Sequence, residues 1–204
     1  MTTATLTSSR LRGRPREFDL DDALDKALRV FSERGYYAAS ISELTEAMKL
    51  TSGSVYKAFG DKRGIFIAVL DRYRLVRRQL MEEGIAAVHT GHDKVRQMLI
   101  FYADSSHGVV GRQGCLVVGS ATELALFDAE VAERVAAAFD KDEQLLDDLI
   151  RLGQADGSIP AAIDSRDAAR TLLCLMKGMR LAGKTGRSRE EMTAVAETAM
   201  KILA

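Results

Sequence analysis

Apolar positions recur at three- and four-residue intervals along nearly the whole chain and nowhere alternate strictly, so the pattern predicts an all-α protein. In the first periodic segment Leu20, Ala23, Leu24, Ala27, Leu28 and Phe31 share one face, Asp19 stands where an N-cap belongs, and Gly35 supplies a stop. Ser40 opens a short helix that turns Ile41, Leu44, Ala47 and Met48 inward. A few residues later Thr51 caps a third helix, with Val55 and Phe59 toward the core, Gly53, Ser54 and Lys57 on the opposite side, and Tyr56 at the flank. Two short helices joined by a tight turn and braced by a longer one form the arrangement that presents a helix to a DNA major groove.

Gly60 ends the third helix, and Asp61 caps a long fourth one reaching about Glu83, with Ile65, Phe66, Val69, Leu70, Tyr73, Val76 and Leu80 as its buried stripe. Helical spacing continues from His92 to His107. A glycine-bounded loop, GVVGRQG, and a short apolar helix, CLVVGSATELA, come next. Asp128 caps a long helix that runs to the turn QADGSIP, and Ser165 opens another through Leu172, Leu173, Met176 and Met179. Ser188 and Glu191 form a capping box before the last helix. About nine helices are predicted, organised as an arm over residues 1–18, a three-helix head over 19–64 and a larger helical unit over 65–204.

Charge sharpens the picture. Lys and Arg equal Asp and Glu at 29 each, but Met1 to Arg78 carry 15 basic against 10 acidic residues and the remainder 14 against 19. A basic front and an acidic back suit a front end that binds nucleic acid, although chance segregation of solvated charges gives the same count. The arm contains RLRGRPR, with Arg10, Arg12, Arg14 and Arg16 among small or apolar residues, and reads as disordered. The N-terminus has no apolar signal core and no run of about 18 apolar residues occurs, so a cytoplasmic protein without a membrane partner is expected. Two cysteines and three scattered histidines have no metal-ligand spacing, so neither a metal nor a cofactor is expected.

The stretch from Asp21 to Leu70, DDALDKALRVFSERGYYAASISELTEAMKLTSGSVYKAFGDKRGIFIAVL, resembles the DNA-binding domain of the TetR/AcrR family of bacterial repressors. The resemblance rests on the Phe31 spacing, Gly35-Tyr36, Ser40-Ile41, Leu44, the small polar run before Tyr56, Phe59 and Lys62. It departs at Lys49, where the family usually has a glycine; a lysine there takes a left-handed conformation at some cost or reaches a phosphate. The resemblance implies DNA-facing residues among Ser40, Thr51, Ser52, Gly53, Ser54, Tyr56 and Lys57, with Tyr56 and Lys62 on phosphates. Physical chemistry agrees, since helix N-terminal amides, a tyrosine hydroxyl and lysines donate to phosphate and small residues permit close approach. Lys57 suits a guanine O6/N7 contact or a phosphate. Arg12, Arg14 and Arg16 resemble a minor-groove reading core, and the same arginines also suit a nonspecific tether.

For the second unit the resemblance implies a small-molecule effector and a homodimer through the last two helices, Ser165 to Ala182 and Ser188 to Leu203. A ligand-responsive repressor on a palindromic double-stranded operator follows. Pocket candidates are Phe101, Tyr102, Cys115, Leu116, Glu123, Phe127 and Met176, each of which is also readable as ordinary core. Cys115 follows Gly114 at a helix start where amides would activate a thiol, and some TetR-like regulators sense electrophiles or oxidants by cysteine; the plain alternative is a small buried hydrophobe. Cys174, inside LLCLM, reads as core. The rival functions are a small helical enzyme using Cys115, His107 and Asp104, which lacks any nucleophile elbow, and a protein-binding adaptor, which leaves Ser54, Tyr56, Lys57 and Lys62 without a purpose.

Overall fold

The computed structural model describes residues 19–204, so the arm arginines and the disorder expected there fall outside the described residues. Those residues contain ten α-helices and no strand. α1 (Leu20–Ala38), α2 (Ile41–Met48) and α3 (Ser52–Phe59) form the head, and α4 (Lys62–Ala86) leads out of it. α5 (Gly91–Asp104), α6 (Gly108–Gln113), α7 (Leu116–Glu123), α8 (Ala129–Asp156), α9 (Ser165–Ala182) and α10 (Arg189–Ala199) complete the chain.

The starts follow from local chemistry. Asp19, Thr51, Asp61, Thr90, Asp128 and Asp164 each accept a backbone N–H at their helix N-terminus, while Ser40 with Glu43 and Ser188 with Glu191 close reciprocal capping boxes. Asp164 caps α9 in place of the expected Ser165. Gly35 breaks the helical backbone at φ 77°, but a last turn continues to Ala38. The glycine-bounded segment expected as a loop holds the extra helix α6, whose first turn closes when the Gly111 N–H donates to the His107 carbonyl at 2.8 Å.

Two apolar clusters organise the packing. The first joins the inner faces of α1 to α3 and the front of α4 (Ala27, Phe31, Leu44, Val55, Phe66 and Leu70) to Val117 and Leu124 near α7 and to Val131 and Val135 of α8. The head therefore rests on the second unit through continuous apolar contact. The second cluster surrounds α5, which α4, α8, α9 and α10 enclose. α5 and α8 cross so closely that a Cβ on Gly91 would lie 2.0 Å from the Gly153 nitrogen. Such a crossing admits only glycine.

The stripe expected on α4 fails in its middle. Ile65, Phe66, Val69 and Leu70 are buried as expected, Tyr73 and Val76 are half-buried, and Leu80 is exposed. Met81 and Ile85 take over the buried face, and the polar interval between them borders a cavity.

Candidate nucleic-acid interface and an inner cavity

α3 is fixed from below and free above. Val55 is fully buried and Phe59 partly so, while Thr51, Ser52, Gly53, Tyr56 and Lys57 are exposed and Ser54 is half-exposed. The Thr51 hydroxyl accepts from the Ser54 N–H at 3.2 Å and lies 2.9 Å from the Ser54 hydroxyl, which fixes the first turn. The Ser52 and Gly53 amides have no hydrogen-bond partner among the described residues. An α-helix terminus of this kind carries partial positive charge and small side chains, a combination that receives a phosphate.

The turn between α2 and α3 uses the lysine conformation foreseen from the sequence. Lys49 is left-handed at φ 56°, ψ 39°, and Leu50 N–H donates to the Thr45 carbonyl at 3.1 Å. Ser40 is exposed, with its hydroxyl engaged by Glu43 and Glu43 in turn paired with Arg34 at 3.0 Å.

Lys62 has a second role beside the phosphate contact expected of it. Its ammonium donates to the carbonyls of Tyr36 at 3.0 Å, Tyr37 at 3.4 Å and Ala39 at 3.1 Å, and lies 4.6 Å from the Tyr36 ring centroid. In this arrangement its N–H donors face carbonyls at the end of α1, so Lys62 braces the head. Gly64 follows it in a space without room for a side chain, since a Cβ there would lie 1.9 Å from the Phe59 carbonyl oxygen.

Behind the head, α4, α5, α7, α8 and α9 leave a cavity of about 270 Å³. Phe101, Tyr102 and Cys115 line it. The other pocket candidates separate. Leu116 and Glu123 line a second cleft against Gly35 and Tyr36 at the end of α1, Met176 is fully buried core, and Phe127 is exposed in the turn before α8. Phe127 is exposed because the chain reverses there, with the Asp128 N–H donating to the Leu124 carbonyl at 3.0 Å. Cys174 also departs from expectation: the apolar phase of α9 runs through Leu172, Leu173 and Met176 and leaves this cysteine exposed.

Polar groups missed from the sequence share the cavity wall with apolar ones. Tyr102 donates to Asp142 at 2.7 Å, and Lys177 donates to the Tyr102 hydroxyl at 3.0 Å. Burial, with the Asp142 carboxylate, holds the Tyr102 phenol well above its ordinary range. Arg77 lies 4.5 Å from the Phe101 ring centroid and donates to Ser105 at 2.9 Å. Burial pushes the Cys115 thiol up, but the neighbouring Arg180 guanidinium and other donors outweigh it and hold the thiol below its ordinary value. Arg180 was legible in principle, since it occupies an inward phase of α9, directly after Met179 and four residues after Met176.

No helix among the described residues is long and apolar enough to cross a membrane, and no cluster of three or more metal-ligating side chains occurs among them. The model for bacterial regulatory proteins of the tetR family matches residues 23–69, and that for the tetracyclin repressor-like C-terminal domain matches residues 91–199. The chain is 30% identical over 205 residues to the HTH-type transcriptional repressor ComR of Escherichia coli K12, covering 98% of this chain and 96% of that one. Over 170 residues it is 24% identical to the E. coli K12 repressor NemR, covering 78% of this chain and 81% of that one. Among solved structures, a cysteine mutant of the TetR family transcriptional regulator CifR, complexed with 26 bp double-strand operator DNA, is 30% identical with a TM-score of 0.83. That match covers 94% of this chain and all of the other.

Proposed function

Because the chain belongs to the TetR family of bacterial regulatory proteins, we propose that it is a transcriptional repressor that places α3 of two protomers in a pseudo-palindromic operator and lets go when a small molecule fills the inner cavity. It is a regulator and not an enzyme. The carrying observation is the outward set on α3, half-exposed Ser54 with exposed Tyr56 and Lys57, held in register by Val55 beneath and the Thr51 cap at its start. Tyr56 and the free amides of Ser52 and Gly53 take phosphates, Lys57 reaches base edges or phosphate, and Arg12, Arg14 and Arg16 extend the basic surface. Such a regulator works in the cytoplasm, beside the chromosome.

A two-fold operator needs a two-fold protein. α9 and α10 supply the surface for it. Thr171, Cys174, Gly178 and Leu181 form an exposed uncharged ridge on α9, and Ala194, Thr198 and Ile202 are exposed on and after α10. Small uncharged side chains at helical spacing let two helices approach closely.

Release follows from the shared helix. α4 begins beside α3, forms one wall of the cavity and packs on α5, so a ligand that spreads that wall moves the head with it. The ligand weakens operator binding by its preference for the displaced arrangement, and operator weakens the ligand by the same factor. Substituting Tyr56→Phe tests the DNA-facing assignment. It removes one hydroxyl and no packing, and is expected to weaken duplex binding about fivefold on operator and unrelated DNA alike. Unchanged affinity would remove Tyr56 from the interface.

A further inference from the structure

One corner of the inner cavity carries positive charge without a carboxylate. Arg77 and Cys115 line it, and the buried Tyr73 hydroxyl, beside the Cys115 thiol, has no hydrogen-bonded oxygen or nitrogen partner among the described residues. Arg180 lies behind that wall and is 1% exposed; its Nη2 donates to the Gly114 carbonyl, while Nε and Nη1 have no partner among the described residues. Among the described residues Arg77 pairs with no carboxylate; it donates to the Ser105 hydroxyl and lies against aromatic faces. The opposite wall is balanced, since Lys177 sits 2.5 Å from the Asp142 carboxylate.

A buried guanidinium without an anion is costly, and the penalty falls when a negative group enters its surroundings. A cationic ligand would increase that penalty, and a neutral one would leave it unchanged. The chamber between the two polar walls is apolar, bounded by Phe101, Met81 and Val117. At about 270 Å³ it falls just below the usual size of small-molecule pockets, so its occupant is small. A guanidinium fork and one phenolic hydroxyl match the two oxygens of a carboxylate. A doubly charged phosphate would cost more to dehydrate in the same apolar chamber.

We propose that the cavity binds a small organic acid with a flat apolar body, its carboxylate held by Arg77 and the Tyr73 hydroxyl in the field of Arg180 and its body stacked on Phe101. The proposal deepens the effector reading given above and rests on it only for its regulatory meaning, because binding is measured without DNA.

The test is calorimetric titration of the full-length protein with a matched series of arenecarboxylates, from benzoate to naphthoate, and their primary amides. At least one acid is expected to bind ten or more times tighter than its amide, and Arg77→Gln is expected to bring that ratio near one. Circular dichroism shows whether that variant folds, and Tyr73→Phe supplies a second variant expected to lower the ratio. Amides binding as well as acids throughout the series, or no acid binding at all, would overturn the proposal. So would a preference seen only in Cys115→Ala, because the native thiolate would then be the counter-ion. An acid that binds but leaves operator affinity unchanged would keep the site and remove its role in release.

Discussion

Arg63, the second residue of α4, grips both carboxylate oxygens of Asp128, the N-cap of α8, with Nε to Oδ2 at 2.6 Å and Nη2 to Oδ1 at 2.9 Å. The same guanidinium reaches Glu130 at 2.7 Å, and Glu130 pairs with Arg134, which pairs in turn with Asp71 of α4. The helix that leaves the head is thereby tied to the start of α8 by a bidentate pair and a chain of ions.

This pair makes stability depend on acid. The Arg63 guanidinium, helped by the Val131 N–H, holds the Asp128 carboxyl down at about 2. A carboxylate depressed in the folded state contributes stability that is present above its unfolded value near 4 and lost as pH falls toward 2. With Arg63 substantially exposed, water screens the pair, and the contribution is modest. Asp128→Asn is therefore expected to lower the melting temperature near neutral pH by roughly 2–4 °C and to flatten the acid limb between pH 4 and 2. Equal acid sensitivity in both proteins would place the dependence elsewhere.

Lys62→Ala separates a brace from a phosphate ligand. Loss of three donated hydrogen bonds and the Tyr36 contact is expected to cost about 1–3 kcal/mol of stability. The slope of DNA affinity against salt should stay as it was. A slope reduced by about one ion with the melting temperature unchanged would instead favour the phosphate role.

Gly64→Ala should be among the most damaging single changes in the head. The added Cβ meets the Phe59 backbone carbonyl at 1.9 Å, and a backbone atom cannot swing aside. Overpacking of this severity is expected to cost about 3 kcal/mol or more, read from urea denaturation by circular dichroism. A shift below about 0.5 kcal/mol would contradict the packing described.

Gly178→Arg tests the dimer surface without harming the protomer. A Cβ at Gly178 meets nothing within 4 Å, and replacing a mid-helix glycine favours the helix by roughly 1 kcal/mol. Helix content is expected to hold while sedimentation shifts from dimer to monomer, and maleimide labelling of the neighbouring Cys174 should accelerate. A variant that remains a dimer would move the interface off α9.

The head was legible because its signals are local. Caps at Asp19, Ser40, Thr51 and Asp61, the apolar phase and the small polar run on α3 all act within a few residues. The bracing role of Lys62 was not legible, because only the fold brings to it carbonyls 23 to 26 residues earlier in the chain. The cavity was half legible for the same reason. Aromatic Phe101 and Tyr102 announce themselves on an apolar helix, but Arg77, Asp142 and Lys177 line one cavity only when α4, α8 and α9 meet around α5. Phe127 and Cys174 were misplaced because apolar character was read as burial, when turn geometry places Phe127 and helical phase places Cys174 at the surface.

The central claim, a dimeric regulator reading DNA through α3, is tested most directly by selecting bound sequences from a random double-stranded pool with the purified protein at near-physiological salt. The account predicts enrichment of an inverted repeat whose half-sites are separated by one or more helical turns. Binding that enriches no sequence and vanishes as salt rises would contradict it, leaving only nonspecific charge at the front of the chain.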